Sequence, residues 1–302
     1  GEVAGKGDVV VVSGGGRGVT AACVIEWARD SGANFLLLGR STLSDEPACC
    51  AGIEDDAEIP IIGEIASLPT RRIGVRNGIH TAGIRLFEES IDSLRTSFMV
   101  ADQLKDSRVI VITSAVSQEG KTSVVSQLAI SIARATGKRT LLVDGDMRSP
   151  DIHKVFSTNG QSEDFIGLAD VLADDVDLAD VVRETFTKNL DVLPAGRLRC
   201  SAHTLVGNGH FKGFLNRAAN LYEYILLDTP PLLAAAESVV MASHADASIL
   251  CAMRGTSRLG QVRKAYRRLV QANADPAGVV LSGIPLKKYA YDYGEYYDRS
   301  DP

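Results

Sequence analysis

The sequence predicts an α/β protein with a mainly parallel sheet: a P-loop NTPase domain preceded by a partial Rossmann-like β-α-β unit. Three observations carry this. Val109-Ile110-Val111-Ile112 is a β-branched run that enters a loop of small and polar residues, then Gly120-Lys121-Thr122-Ser123 and an amphipathic stretch over 124–135. That change of period across a short loop is the strand, phosphate loop and helix that anion binding requires. Two further apolar runs, 140–143 and 224–227, each stop at an aspartate. Near the N-terminus, Val9 to Val12 and Asn34 to Leu38 are separated by a glycine turn and a helix-like stretch.

At 302 residues the chain has room for one large domain or two modest ones. Hydrophobic content of 45% and charge of 23% belong to an ordinary globular protein. A net charge of -6 argues against nucleic acid as a partner. The five cysteines, Cys23, Cys49, Cys50, Cys200 and Cys251, have no C-x-x-C spacing and read as reduced and structural, which suits the cytoplasm. No apolar run reaches about 18 residues, and the N-terminal text lacks a signal-peptide layout. Association with the inner face of the plasma membrane would therefore require a partner or a missing segment.

In order along the chain, the strand Val9–Val12, the turn Gly14-Gly15-Gly16-Arg17-Gly18, the helix-like stretch Thr20 to Asp30 and the strand ending at Arg40 form a β-α-β unit. An arginine at the end of the second strand is the arrangement that accommodates an NADP 2′-phosphate. Residues 7–57 resemble the start of a ketoreductase, a branch of the short-chain dehydrogenases. No Tyr-x-x-x-Lys stands in register downstream, so residues 1–57 read as a truncated fragment. Residues 58–85, containing Pro60, Pro69 and a Gly-rich basic stretch, read as a linker. From there Phe87, Ile91, Leu94 and Phe98 fall on one helical face.

In the loop itself, Ala115 stands where the first glycine of G-x-x-x-x-G-K-[ST] is usual. The segment Ser117-Gln118-Glu119-Gly120-Lys121-Thr122-Ser123 would cradle a nucleotide, Lys121 reaching the β- and γ-phosphates and Thr122 holding Mg²⁺. The strand at 140–143 exits into Asp144-Gly145-Asp146-Met147-Arg148, and the strand at 224–227 into Asp228-Thr229-Pro230-Pro231. Carboxylates at the C-terminal ends of parallel strands face the ligand crevice. Lys121, Asp144, Asp146 and Asp228 thus converge, supplying a cation for phosphates, carboxylates for Mg²⁺ and a base for an attacking hydroxyl.

With these motifs in order, residues from about 60 to 299 resemble the cytoplasmic domain of bacterial protein-tyrosine kinases, the BY-kinases of exopolysaccharide and capsule export. The resemblance implies ATP and Mg²⁺ as cofactors. It implies that Asp144 helps order Mg²⁺ and activates the substrate tyrosine, that Asp146 supports it and Asp228 assists Mg²⁺, with Arg148 beside the nucleotide. It also implies a transmembrane activator or polysaccharide co-polymerase as partner, and protein tyrosines as substrates. The family's ring-assembly element Glu-x-x-Arg-x-x-Arg becomes Glu89-x-x-Asp92-x-x-Arg95 here, so a homo-oligomeric ring through Glu89 and Arg95 carries a charge reversal at its centre.

Beyond the site, short helices are expected over 166–176 and 178–185, strands over 190–196, 247–252 and 278–281, and a basic amphipathic helix over 261–272 with a solvated face. His203, Asn208 and His210 read as exposed loop residues. The kinase domain spans 86–286, and 287–302 reads as a flexible tail holding Tyr289, Tyr291, Tyr293, Tyr296 and Tyr297 of the eight tyrosines, with little apolar company. In the family such a cluster is the autophosphorylation site. Alternative readings are a nucleotide-switch ATPase of the septum-positioning and partition type, an NADP-binding reductase fragment, and a non-catalytic scaffold. The switch ATPases place a second lysine where Val116 stands.

Overall fold

The computed structural model describes residues 9–13, 34–38, 59–68, 77–101, 104–156, 166–173, 175–207 and 209–293. By its contacts the chain divides into two units, Gly1–Pro47 and Ala48–Pro302. In the first, strands β1 (Val9–Ser13) and β2 (Asn34–Leu38) pair in parallel with Val9 opposite Asn34 and Ser13 opposite Leu38. A parallel pair needs a crossover between its strands. The glycine turn, the helix expected at 20–30 and Arg40 lie outside the described residues.

The second unit is built on eight strands: β3 (Ile61–Ala66), β4 (Val109–Ser114), β5 (Thr140–Asp144), β6 (Arg183–Glu184), β7 (Leu190–Leu193), β8 (Tyr224–Asp228), β9 (Ala247–Met253) and β10 (Pro276–Ile284). Their spatial order is β3-β10-β9-β4-β8-β5-β7-β6. Every neighbouring pair is parallel except β6 with β7. Alternation along the central strands fills two cores. Val109, Val111, Leu141, Val143, Ile225 and Leu227 pack into one, while Ile110, Ile112, Leu142 and Leu226 pack into the other. Continuous apolar runs are thus required because both faces of the sheet are covered.

Helices α1 (Asn77–Val100) and α2 (Lys121–Thr136) lie against the second core, to which they contribute Phe87, Ile91, Leu94, Phe98, Val124, Val125 and Leu128. The remaining helices are α3 (Ile152–Phe156), α4 (Leu168–Leu172), α5 (Leu178–Val181), α6 (Ala202–Val206), α7 (His210–Ala219), α8 (Ala236–Ala242), α9 (Leu259–Gln271) and α10 (Leu286–Tyr293). From β4 the chain crosses through α2 to β5, passing over the place that β8 later fills. The β9 and β10 strands are added on the other side of β4, so the winding reverses there. The crevice beyond the end of β4 is where such sheets bind ligands.

Three expectations are corrected. Much of the stretch read as linker over 58–85 is structure: Ile61–Ala66 is an edge strand paired with β10, and α1 begins at Asn77. A Cβ at Gly63 would stand 2.8 Å from Leu94 Cδ1, so this glycine permits close packing of strand and helix. The tail read as flexible from 287 instead begins as α10, with Tyr289 buried at 6% exposure and Tyr291 exposed at 85%. His203 and His210 are exposed, as expected, but stand on α6 and α7; Asn208 lies outside the described residues. The basic helix has its apolar side in the core through Val262, Ala265 and Leu269, and Arg268 Nη1 donates to the Leu232 carbonyl at 2.7 Å.

Candidate nucleotide and phosphoryl-transfer site

The loop between β4 and α2 turns through two left-handed residues, Gln118 at φ 67° and Gly120 at φ 80°. Glycine is required at the second: a Cβ there would meet Met253 Cε at 2.9 Å and Ser282 Oγ at 3.2 Å. Ala115 is fully buried, so a methyl group is accommodated at the place of the usual first glycine. Glu119 is fully buried too. Its Oε2 accepts from Val116 N at 2.8 Å and its Oε1 accepts from Ser257 Oγ, which itself accepts from Met253 N at 2.8 Å. Burial pushes the Glu119 carboxyl above its usual range, against the pull of those hydrogen bonds. Glu119 therefore closes the loop on itself and ties it to the turn after β9.

At the first turn of α2, Lys121 Nζ lies 3.2 Å from Asp146 Oδ2 and 3.5 Å from Asp228 Oδ1. The Thr122 hydroxyl donates to Asp228 Oδ2 at 2.6 Å. Asp144 Oδ2 accepts from Ile152 N at 3.1 Å, while its Oδ1 is buried without a hydrogen-bond partner. Between the two β5 aspartates, Gly145 N donates to the Asp228 carbonyl at 2.8 Å; a Cβ on Gly145 would stand 2.7 Å from that oxygen. This close approach locks the β5 exit to the β8 exit.

The electrostatics follow from burial and crowding. Desolvation, then the nearby Asp228, raise the Asp144 carboxyl to about 8. Desolvation also raises Asp228, to about 6, although Lys121 and the Thr122 hydroxyl pull it down. Burial works against the Lys121 ammonium, but Asp228, Asp146 and Asp144 outweigh it and hold its pKa above the usual value. A dry acidic cluster with one orphaned carboxylate oxygen is short of positive charge. Thr122, Asp144 and Asp228 fit the donor set of a hard cation, which takes oxygen ligands.

The structure thus brings Lys121, Thr122, Asp144, Asp146 and Asp228 together, with Gly120 shaping the loop and Ser117, Gln118 and Ser123 exposed along it. Arg148 is placed differently from expectation: its Nε lies 2.5 Å from Oε1 of the fully buried Glu237, and its Nη2 3.2 Å from Oε2. That bidentate pair fixes the β5 exit to α8. The Glu119–Ser257 and Arg148–Glu237 partnerships join residues far apart in sequence and carry no local signal. On α1, Arg95 Nη1 donates to Asp92 Oδ1 at 2.6 Å and to Ser131 Oγ at 2.7 Å, so Arg95 is engaged within the chain.

A phosphate loop at the switch point of a parallel sheet, faced by carboxylates from two neighbouring strands, defines a P-loop nucleotide-binding domain. A family model described as an AAA domain matches residues 107–270. Tyrosine-protein kinase CpsD of Streptococcus agalactiae is 30% identical over 210 residues, which is 69% of this chain and 89% of that protein. The chain belongs to the bacterial tyrosine-protein kinases, and ATP with Mg²⁺ is the cofactor set that its fold and site use. It spans 28% of the length of other, longer tyrosine-kinase relatives that it matches at 32% identity. Among solved structures, the kinase domain of Escherichia coli tyrosine kinase ETK superposes with a TM-score of 0.66 at 26% identity, covering 76% of this chain and 91% of that one. The septum site-determining protein MinD of Pyrococcus horikoshii, complexed with Mg-ADP, reaches 0.50 at 25% identity, covering 61% and 76%.

Proposed function

We propose that this chain transfers the γ-phosphoryl group of ATP to tyrosine hydroxyls of its own C-terminal segment, in trans, and thereby regulates exopolysaccharide synthesis or export. The convergence of Lys121, Thr122, Asp144, Asp146 and Asp228 on one crevice carries the reading. Lys121 offsets phosphate charge and Thr122 orients its hydroxyl toward the Asp228 carboxylate. Asp144, with a carboxyl near 8 and a free Oδ1, takes the phenolic proton near neutral pH. Asp146 holds Lys121. Bound Mg²⁺ supplies the positive charge that neutralises the phosphates and the acidic cluster. The acceptors are Tyr289, Tyr291, Tyr293, Tyr296 and Tyr297, the last three of which have side chains outside the described residues.

The partner proposed is a transmembrane activator or polysaccharide co-polymerase, which would hold the domain at the inner face of the plasma membrane. Among the described residues no helix is long and apolar enough to cross a membrane. Incubation with Mg-ATP labelled at the γ-phosphate tests the reading: label on tyrosine supports it, and release of phosphate to water alone supports the nucleotide-switch alternative.

A further inference from the structure

Two of the tail tyrosines stand in opposite environments on one short helix. Tyr289 is 6% exposed and belongs to the main core, whereas Tyr291 is 85% exposed. Residues two apart on an α-helix point about 200° from each other, so seating the first turns the second outward. The Tyr289 ring lines a groove of about 310 Å³ with Ile62, Gly63 and Glu64 of the edge strand β3 and Ser93 and Ser97 of α1. Helix α10 has eight residues, too few to persist without packing. Its tyrosine in the groove is thus a main reason that it is a helix at all.

Resting on the kinase reading above, we infer that Tyr291 is the acceptor that the docked helix presents, and that Tyr289 is a latch modified only after α10 leaves its groove. Each transfer breaks the bond between the γ-phosphorus and the β–γ bridging oxygen, forms a bond from phosphorus to the phenolic oxygen, and releases ADP and the phenolic proton. A buried ring cannot reach another molecule's crevice while the helix is seated. Once made, the phosphate on Tyr289 carries about two negative charges. Returning it to a groove that Glu64 also lines would bury a dianion beside a carboxylate, which both desolvation and repulsion oppose. Phosphorylation at Tyr289 therefore holds the segment out, and phosphorylation at Tyr291 leaves it free to dock.

Two measurements on the full chain test this. Nitration of the Lys121→Met protein with tetranitromethane reads ring access without any kinase activity. Tyr289 should react on the order of tenfold more slowly than Tyr291, and Tyr289→Glu should speed hydrogen exchange over 286–293 where Tyr289→Phe does not. In a time course with Mg-ATP, phosphate should appear on Tyr291 before Tyr289. Equal nitration of the two rings, or phosphate on Tyr289 first, overturns the latch. Protection of Tyr289 with no phosphate on any tyrosine overturns the kinase reading and, with it, the acceptor role of Tyr291, while leaving the docked helix established.

Discussion

Lys121 Nζ lies 3.2 Å from Asp146 Oδ2, so the cation of the phosphate loop is already paired with a carboxylate of the β5 exit. Phosphates must compete with that carboxylate for the ammonium. Asp146→Asn removes the competitor, and a partly buried pair is worth about 1 kcal/mol. ADP without Mg²⁺ should therefore bind roughly three- to tenfold more tightly to the variant, while phosphoryl transfer falls. Calorimetric titration checks the first and a tyrosine-phosphorylation rate the second; unchanged ADP affinity would mean that the pair costs the ligand nothing.

The Asp144 carboxyl gives a pH signature. Its pKa in the folded protein is raised from 3.8 to about 8, chiefly by desolvation. A raised carboxyl pKa means that the fold prefers the protonated group, so this contribution is fully present below about 4 and is lost as pH rises through about 8. Asp144→Asn removes the penalty. In nucleotide-free melts, the Tm of the variant minus that of the wild type should grow from pH 5 to pH 9. A difference that stays flat or shrinks would place the charge elsewhere.

The clamp from Glu119 to Ser257 predicts a coupled loss. Ser257→Ala strands a buried carboxylate oxygen, at a cost of about 1–3 kcal/mol. Glu119→Ala strands the Val116 N–H and the Ser257 hydroxyl. Both should lower the denaturation midpoint, and the double variant should lose less than the sum of the two. Additive losses in that cycle would show that the two residues act separately.

The parts of this molecule that were legible in its sequence are local. The β4 run, the loop and the α2 pattern adjoin one another, and Asp144 and Asp228 each close an apolar strand, so the site could be read from the text. Edge strand β3 was not legible: Pro60, Gly63 and Pro69 write it as a linker, and its strand character comes from β10, more than two hundred residues on. Glu119 looked like one more loop residue because its partner Ser257 is 138 positions away. Tyr289 looked exposed because its apolar company comes from β3 and α1 rather than from its own neighbours.

Asp92 sits where the resembling family places a ring-forming arginine, and it holds Arg95 within the chain together with Ser131. The isolated wild-type protein should therefore sediment as a smaller species than Asp92→Arg, which restores the positive charge and frees Arg95. Analytical ultracentrifugation checks this; identical sedimentation would remove this face of α1 from self-association.

The central claim is that Lys121 and its three aspartates move phosphate from ATP to the chain's own tyrosines. Mass spectrometry of the peptide carrying Tyr289 to Tyr297, after incubation of wild type and Lys121→Met with Mg-ATP and the membrane activator segment, tests it most directly. Phosphotyrosine on the wild-type peptide and its loss from the variant is the predicted result. An unmodified wild-type peptide, or equal modification of both, would contradict it.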